Sequence, residues 1–285
     1  MKIPILLYHS VSSHASKGFY PWTVTPEQFA GQMRELAVRG YTPIKVSDFA
    51  EILMGKRTWI PQNPVLITFD DGFADFYETA LPILKEHHFV ATLYVITGFV
   101  GGTSQWLSPE EGPDRAMLRW EEIEGLPEEG IEIGAHTQTH PQLDTISLRS
   151  ARGEILKSKE LLETHLGAPV RSFAYPHGYH GPSVRELVID AGFDSAVAVK
   201  HAMSSLQDDR FGLARIVIKR DLSLDDFNSL LAGSHLRVAV KGERLKTVLW
   251  RYARKTIKNL KISRSGALPQ RGTLPQQQGR LDGKS

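Results

Sequence analysis

The sequence predicts an α/β protein in which a parallel sheet is covered by helices. Short apolar runs alternate with helix-period segments through residues 1–232, and the helical segments carry start and stop residues at their ends. With 285 residues, 41% hydrophobic and 23% charged, the chain has the size and composition of one large globular domain. Periodicity alone does not choose between a closed barrel and a doubly wound open sheet.

Residues 3–8 read as a buried strand. Thr25-Pro26-Glu27-Gln28 opens a helix, with Thr as cap, Pro at the first helical position and Gln at the third. Phe29, Met33, Leu36 and Ala37 follow at core-facing spacing, and Gly40 ends that helix. Residues 65–69 form a strand, 73–87 a helix despite Pro82, 91–96 a strand, 119–129 a short helix and 131–134 a strand. Ser147 caps a helix that runs to residue 166 and stops at Gly167. Residues 172–175 read as a strand, 182–191 as a helix, and 194–199 and 213–218 as two further strands. Ser223 with Asp226 forms a capping box before a helix over 224–232.

The C-terminal region is different. From Arg237 to Ser285 there are 13 Lys/Arg against two acids, Glu243 and Asp282, a charge of +11; the remainder carries 21 basic and 30 acidic residues, −9. Residues 237–262 predict a basic amphipathic helix, with Leu245, Val248, Leu249 and Tyr252 at i, i+3, i+4, i+7. Residues 263–285, rich in Gly, Pro, Gln, Ser and Arg, predict disorder. The helix suits either solvent or peripheral contact with an anionic membrane surface, with Trp250 and Tyr252 at the interface. No nucleic-acid recognition motif accompanies the basic charge.

The apolar run at residues 3–8 is too short for a signal peptide, and no stretch approaches the roughly 20 apolar residues of a membrane span. The expected location is cytoplasmic, at most peripheral to the inner membrane face. Oligomeric state is not legible. The absence of cysteine excludes disulfides, thiolate ligands and a Cys nucleophile. Any metal falls to Asp, Glu or the eleven histidines.

Four strand ends carry candidate chemistry. Val65-Leu-Ile-Thr-Phe-Asp70-Asp71-Gly72 places two carboxylates where a buried strand ends, the position at which parallel α/β folds collect catalytic groups. One can bind a cation while the other faces substrate, although Asp-Gly is also a common turn pair. Ile131-Glu-Ile-Gly-Ala-His136-Thr-Gln-Thr-His140 ends another strand, and two imidazoles four residues apart can meet on one metal. Two His and one Asp leave positions open for water and substrate. Arg171-Ser-Phe-Ala-Tyr175-Pro176-His177-Gly178 runs into a loop that could present backbone N–H groups to an oxyanion, or be an ordinary turn. Leu6-Leu7-Tyr8-His9 ends the first strand on a histidine, a residue that alone is more often structural. Trp22 and the Gly- and Pro-bearing loop 99–118 are the expected groove walls; Trp59, Trp106 and Trp120 could also line a groove, with packing the commoner role.

Thr68-Phe69-Asp70-Asp71-Gly72 and His136-Thr137-Gln138-Thr139-His140, in this order, resemble the first two signature motifs of the polysaccharide deacetylase family, the NodB-homology group or carbohydrate esterase family 4. Phe173-Ala174-Tyr175-Pro176-His177-Gly178 resembles its third motif. Tyr8-His9 and Trp22-Thr-Val-Thr-Pro-Glu-Gln-Phe resemble the poly-N-acetylglucosamine deacetylase subgroup. The resemblance implies a distorted (β/α) barrel of about seven strands, as a deacetylase domain over residues 1–236. It implies removal of acetyl groups from N-acetylated amino sugars in a glycan. By the match, Asp71, His136 and His140 hold a divalent metal, usually zinc, although Co²⁺, Ni²⁺ or Fe²⁺ also suit two His and one Asp. Asp70 is the general base. Tyr175, Pro176, His177, Arg171 and Trp22 are the expected substrate or oxyanion residues, with the His177 N–H in the slot of the family's tyrosine.

Three departures stand out. Ala174 fills the slot of the arginine that orients the base, leaving Arg171 as the nearby substitute. The Asp/Trp motif is not visible after residue 190. The Leu-x-His motif near the domain's end is absent, since residues 213–218 read Leu-Ala-Arg-Ile-Val-Ile. Leu7-Tyr8-His9 has that form at the start, however, and the first and last strands of a closed barrel are neighbours. A permuted motif order therefore predicts His9 as the general acid, ahead of His177, His180 and His201. The alternatives are an inactive carbohydrate-binding homologue, favoured by Ala174 and the missing motif, and a family amidase acting on a non-sugar amide.

Overall fold

The computed structural model describes residues 1–107, 112, 114–234 and 236–238. Seven strands form a closed parallel barrel: β1 (Ile5–Tyr8), β2 (Pro64–Phe69), β3 (Ala91–Val95), β4 (Ile131–Ala135), β5 (Ser172–Ala174), β6 (Ser195–Val199) and β7 (Leu213–Val217). Pairing runs in sequence order from β2 to β7, and β1 closes the ring between them, with Tyr8 opposite Phe69 and Leu7 opposite both Thr68 and Val217. The ring is thinnest between β4 and β5, where Ala135 and Phe173 are the registered pair. There the Ser172 hydroxyl donates to Glu132 Oε1 at 2.8 Å across the seam. The sequence prediction of a distorted seven-strand barrel describes this architecture.

Alternation along the strands divides the core. Leu6, Tyr8, Ile67 and Phe69 pack outward with the helices, while Ile5, Leu66, Tyr94, Val197 and Leu213 fill the barrel. The helices are α1 (Pro26–Val38), α2 (Val46–Leu53), α3 (Leu81–Glu86), α4 (Trp120–Gly125), α5 (Leu148–Leu166), α6 (Pro182–Asp190) and α7 (Leu224–Leu231). The α1 capping box forms as the sequence predicts: Gln28 N–H donates to Thr25 Oγ1 at 3.2 Å, and Thr25 N–H to Gln28 Oε1 at 3.1 Å. Ser147 caps α5, and Gly167 ends it with φ +61°.

Several elements differ from expectation. The segment 73–87 opens as a wide π turn over Phe76–Ala80 before α3, which places Pro82 in a first turn, where its missing N–H is harmless. At α7 the Asp226 carboxylate accepts from the Ser223 hydroxyl, while Ser223 Oγ accepts from Asp226 N–H as an ordinary cap. Helix α2 is not predicted, because Lys45 stands where a capping Ser or Asp would announce it. Its first turn meets the lower end of the barrel, where Val46 N–H donates to Thr92 Oγ1 and Ser47 N–H to Glu132 Oε2. A strand at Ala202–Ser205 pairs with Lys2–Ile3 and, in parallel, with Arg237–Val238. The basic helix predicted from residue 237 is thus corrected at its start: the edge of Ala202–Ser205 takes up those two residues as strand. The rest of 237–262 and all of 263–285 lie outside the described residues. No helix among the described residues is long and apolar enough to cross a membrane.

Candidate active site

The C-terminal strand ends carry the chemistry. Strand β2 delivers Asp70 and Asp71, both buried. Asp71 has φ +82° and Gly72 φ +85°, so the chain turns sharply just after the carboxylates. Asp70 N–H donates to Tyr8 O at 3.0 Å, which sets the residue after Tyr8, His9, beside it. Strand β4 delivers His136, and a tight loop returns His140; Thr137 and His140 have φ of +67° and +59°. Such backbone is strained for side-chain-bearing residues, and its concentration on this loop marks a geometry set by the site. His140 N–H donates to Thr137 Oγ1 at 3.0 Å, which stabilises the turn.

Asp71, His136 and His140 offer three ligand atoms within 4.8 Å of one another. Asp71 Oδ1 lies 3.6 Å from Nε2 of each histidine. His136 Nδ1 is 2.7 Å from the Ala174 carbonyl, so this nitrogen carries the proton and Nε2 is left as a donor to a metal. Burial lowers the pKa of both histidines, and at His140 the neighbouring His136 and His177 lower it further. Both are therefore neutral, the ligating form. Burial and then the Asp70 charge push the Asp71 carboxyl well above its usual range. Its nearest side-chain partners are the two neutral imidazoles, so a divalent cation would offset the cost of ionising it. The donor set fits such an ion.

Asp70 is held differently. Arg215, fully buried on β7, donates from Nη1 to Oδ1 at 2.6 Å and from Nη2 to Oδ2 at 2.7 Å. Burial raises the Asp70 carboxyl, but Arg215 and then His136 outweigh it and hold the group below its usual value. Asp70 is thus an ionised carboxylate, fixed in plane by a bidentate fork. Arg215 also donates to Thr68 Oγ1 and the Ala198 carbonyl, both at 3.3 Å. Sequence reasoning missed this residue. The visible signal was a charge at the centre of the apolar run Leu213-Ala-Arg-Ile-Val-Ile, where burial demands an anionic partner.

Arg171 does not substitute for the missing arginine. It lies at the opposite, N-terminal end of β5 and pairs with Glu51 at 2.7 Å and Asp194 at 2.6 Å. The Tyr175 side chain is also directed elsewhere: its hydroxyl donates to the Phe211 carbonyl, and its ring stacks on His180. Pro176 opens a short turn in which His177 adopts φ +57° and brings its ring within 4.7 Å of His140. Trp22 reaches the site, 5.7 Å from the His9 ring. So does Trp106, 5.9 Å from His140 and stacked on Phe73. Trp120 instead stacks on His165 between α4 and α5, and Trp59 is exposed ahead of β2. His201 sits beside Lys219. His9 also faces the site: like His136, it acts electrostatically on both Asp70 and His140. Burial lowers it to about 4 against the opposing pull of Asp70, so it rests neutral.

Residues 60–196 match the family model for polysaccharide deacetylase. The chain is 24% identical over 216 residues to the poly-beta-1,6-N-acetyl-D-glucosamine N-deacetylase of Staphylococcus aureus (strain MRSA252), covering 73% of this chain and 71% of that one. The Streptococcus pyogenes deacetylase PplD, solved in complex with acetate, superposes with a TM-score of 0.70 at 26% identity, over 82% of this chain and 99% of that one. IcaB from Ammonifex degensii shares the fold, with a TM-score of 0.67 at 23% identity over 81% and 96%. By its match over residues 60–196, its barrel and the convergence of its strand-end motifs, this chain is similar to the polysaccharide deacetylases of the NodB-homology group.

Proposed function

We propose that the chain is a metal-dependent deacetylase that hydrolyses the acetamido group of N-acetylated amino sugars in an oligo- or polysaccharide. The observation that carries this reading is the division of two adjacent buried carboxylates. Asp71 faces two neutral imidazoles, while Asp70 is ionised and held by Arg215. A divalent metal on Asp71, His136 and His140, most often zinc for such donors, would lower the pKa of water and polarise the amide carbonyl. Asp70 takes the proton of the attacking water; its Oδ2 lies 3.8 Å from His136 Nε2, so the base overlooks the same space. The His177 N–H, in the slot of the family's tyrosine, would steady the tetrahedral oxyanion. His9, neutral at rest, takes up the proton drawn from water through Asp70 and passes it to the departing amine, so that acetate and a free amino sugar result. The glycan class is supported by the Staphylococcus aureus relative, which is named for poly-beta-1,6-N-acetyl-D-glucosamine.

The reading that the site has decayed loses its main motive. Ala174 lacks the base-orienting arginine, but Arg215 reaches the same carboxylate from β7. Acetate release from N-acetylglucosamine oligomers tests the proposal. Asp70→Asn is expected to lower kcat by about 10²–10⁴-fold with metal content unchanged; wild-type turnover in that variant would refute the role of the base.

A further inference from the structure

Beyond the metal and the base, the site depends on where His9 sits, and nothing in its own hydrogen bonding fixes it. His9 Nδ1 is buried with no hydrogen-bond partner among the described residues. Its ring is held by Phe19 at 6.1 Å and Trp22 at 5.7 Å, and by the backbone that follows it. That backbone is tied down by Asp75. Ser10 Oγ donates to Asp75 Oδ2, and Val11 N–H to Oδ1 at 3.4 Å. Arg115 completes the tie, donating from Nη2 to Asp75 Oδ2 at 2.9 Å and to Ser10 Oγ.

Arg115 comes from the loop 99–118. Its limb is hydrogen-bonded on two sides. Arg115 O accepts from Ser104 N–H and Met117 N–H donates to Gly102 O, while Ala116 O accepts from Ala74 N–H and Leu118 N–H donates to Gly72 O, just beyond Asp71. The guanidinium lies 3.9 Å from the centre of the Phe73 ring and 4.6 Å from that of Phe19. Those rings belong to a continuous aromatic arc, His9–Phe19–Phe73–Trp106–His140, with successive centroids 5.3–6.1 Å apart. One side chain therefore joins the groove-wall loop, the segment behind His9 and the aromatic wall between the two ends of the site.

We propose that Arg115 is a positioning residue: by tying the limb 114–118 to Asp75 and Ser10 it sets the backbone behind His9, and with it the placement of the acid. The inference rests on His9 being the acid. The test uses leaving groups. An N-acetylglucosamine oligomer needs a protonated amine to depart, whereas 4-nitrophenyl acetate releases a phenolate that does not. Arg115→Gln should lower the ratio of amide to ester kcat by about 10–100-fold, the size of an ångström-scale misplacement. Arg115→Lys, which keeps the charge but not the planar fork, should recover part of that ratio. Ser10→Ala removes the hydroxyl link without altering the core, and should show a smaller loss of the same kind. It stands in if Arg115→Gln fails to fold, which a melting curve reports. His9→Asn is the reference and should show the full leaving-group effect. If His9→Asn lowers both substrates equally, the acid assignment fails and the proposal with it. If His9→Asn behaves as expected while the Arg115 and Ser10 variants leave the ratio unmoved, or lower both substrates equally, the positioning role is overturned and the acid assignment stands.

Discussion

Asp70 and Asp71 are neighbours in sequence and opposite in electrostatics. Asp70, held down by Arg215, contributes stability that is present above the usual carboxylate value of 3.8 and is lost as pH falls through its lower folded value. Asp71 has the reverse sign. Its raised folded value means that its contribution is complete below 3.8 and lost as pH rises, so at neutral pH the metal-free fold is penalised for this carboxyl group. Asp71→Asn should therefore raise the Tm of the metal-free chain at pH 7, by about 2–4 °C for each kcal/mol relieved, and abolish the further rise on adding zinc. An unchanged zinc-induced shift in that variant would remove Asp71 from the ligand set. Arg215→Met should destabilise the fold by about 3–5 kcal/mol, because it strands a buried carboxylate. It should also move the acid limb of kcat/KM to higher pH, since Asp70 loses the cation that lowers it; denaturant melts and a pH–rate profile measure both. At this scale the sequence was informative where function sits in short motifs. Asp70, Asp71, His136 and His140 are each within a few residues of a strand end. Arg215 was not legible as their partner, because 145 residues separate it from Asp70 and only barrel closure joins them.

The elements place these residues through close backbone approaches. Gly98 N–H donates to Gln138 O at 2.8 Å, and a Cβ on Gly98 would stand 2.4 Å from that oxygen. Gly98→Ala must push away the loop that carries His140. Zinc affinity, measured by competition with a chromophoric chelator, should fall by about 10–100-fold, as for other groups that orient metal ligands. Native affinity in that variant would show that the loop adjusts without moving its ligands. Helices with capping residues and glycine stops were legible, as at Thr25–Gly40 and Ser147–Gly167. Helix α2 was not, since Lys45 gives no capping signal and the partners of its first turn, Thr92 and Glu132, are far along the chain. The strand at Ala202–Ser205 escaped for the same reason, being too short for a period and defined by its partners.

For the whole molecule, the decisive event is closure of the barrel by β1 between β2 and β7. Local pattern announced the strands but not the ring; the family resemblance supplied it. Closure sets the end of β1, with Leu7-Tyr8-His9, beside the end of β7, the neighbourhood that a permuted motif order requires. The charge asymmetry is the other whole-molecule feature. With +11 from Arg237 to Ser285, the full chain is expected to float with anionic liposomes in a salt-sensitive manner, and a chain ending at Val238 is not. Equal flotation of both would exclude this segment as a membrane contact.

The central claim is that Asp71, His136 and His140 hold one catalytic metal. The most direct test strips the protein with a chelator and follows acetate release from N-acetylglucosamine oligomers while zinc is titrated back. The expected result is activity that disappears with the metal, returns linearly and levels off at one zinc per chain. Undiminished turnover by the stripped protein, or stoichiometric zinc uptake that restores none, would contradict it.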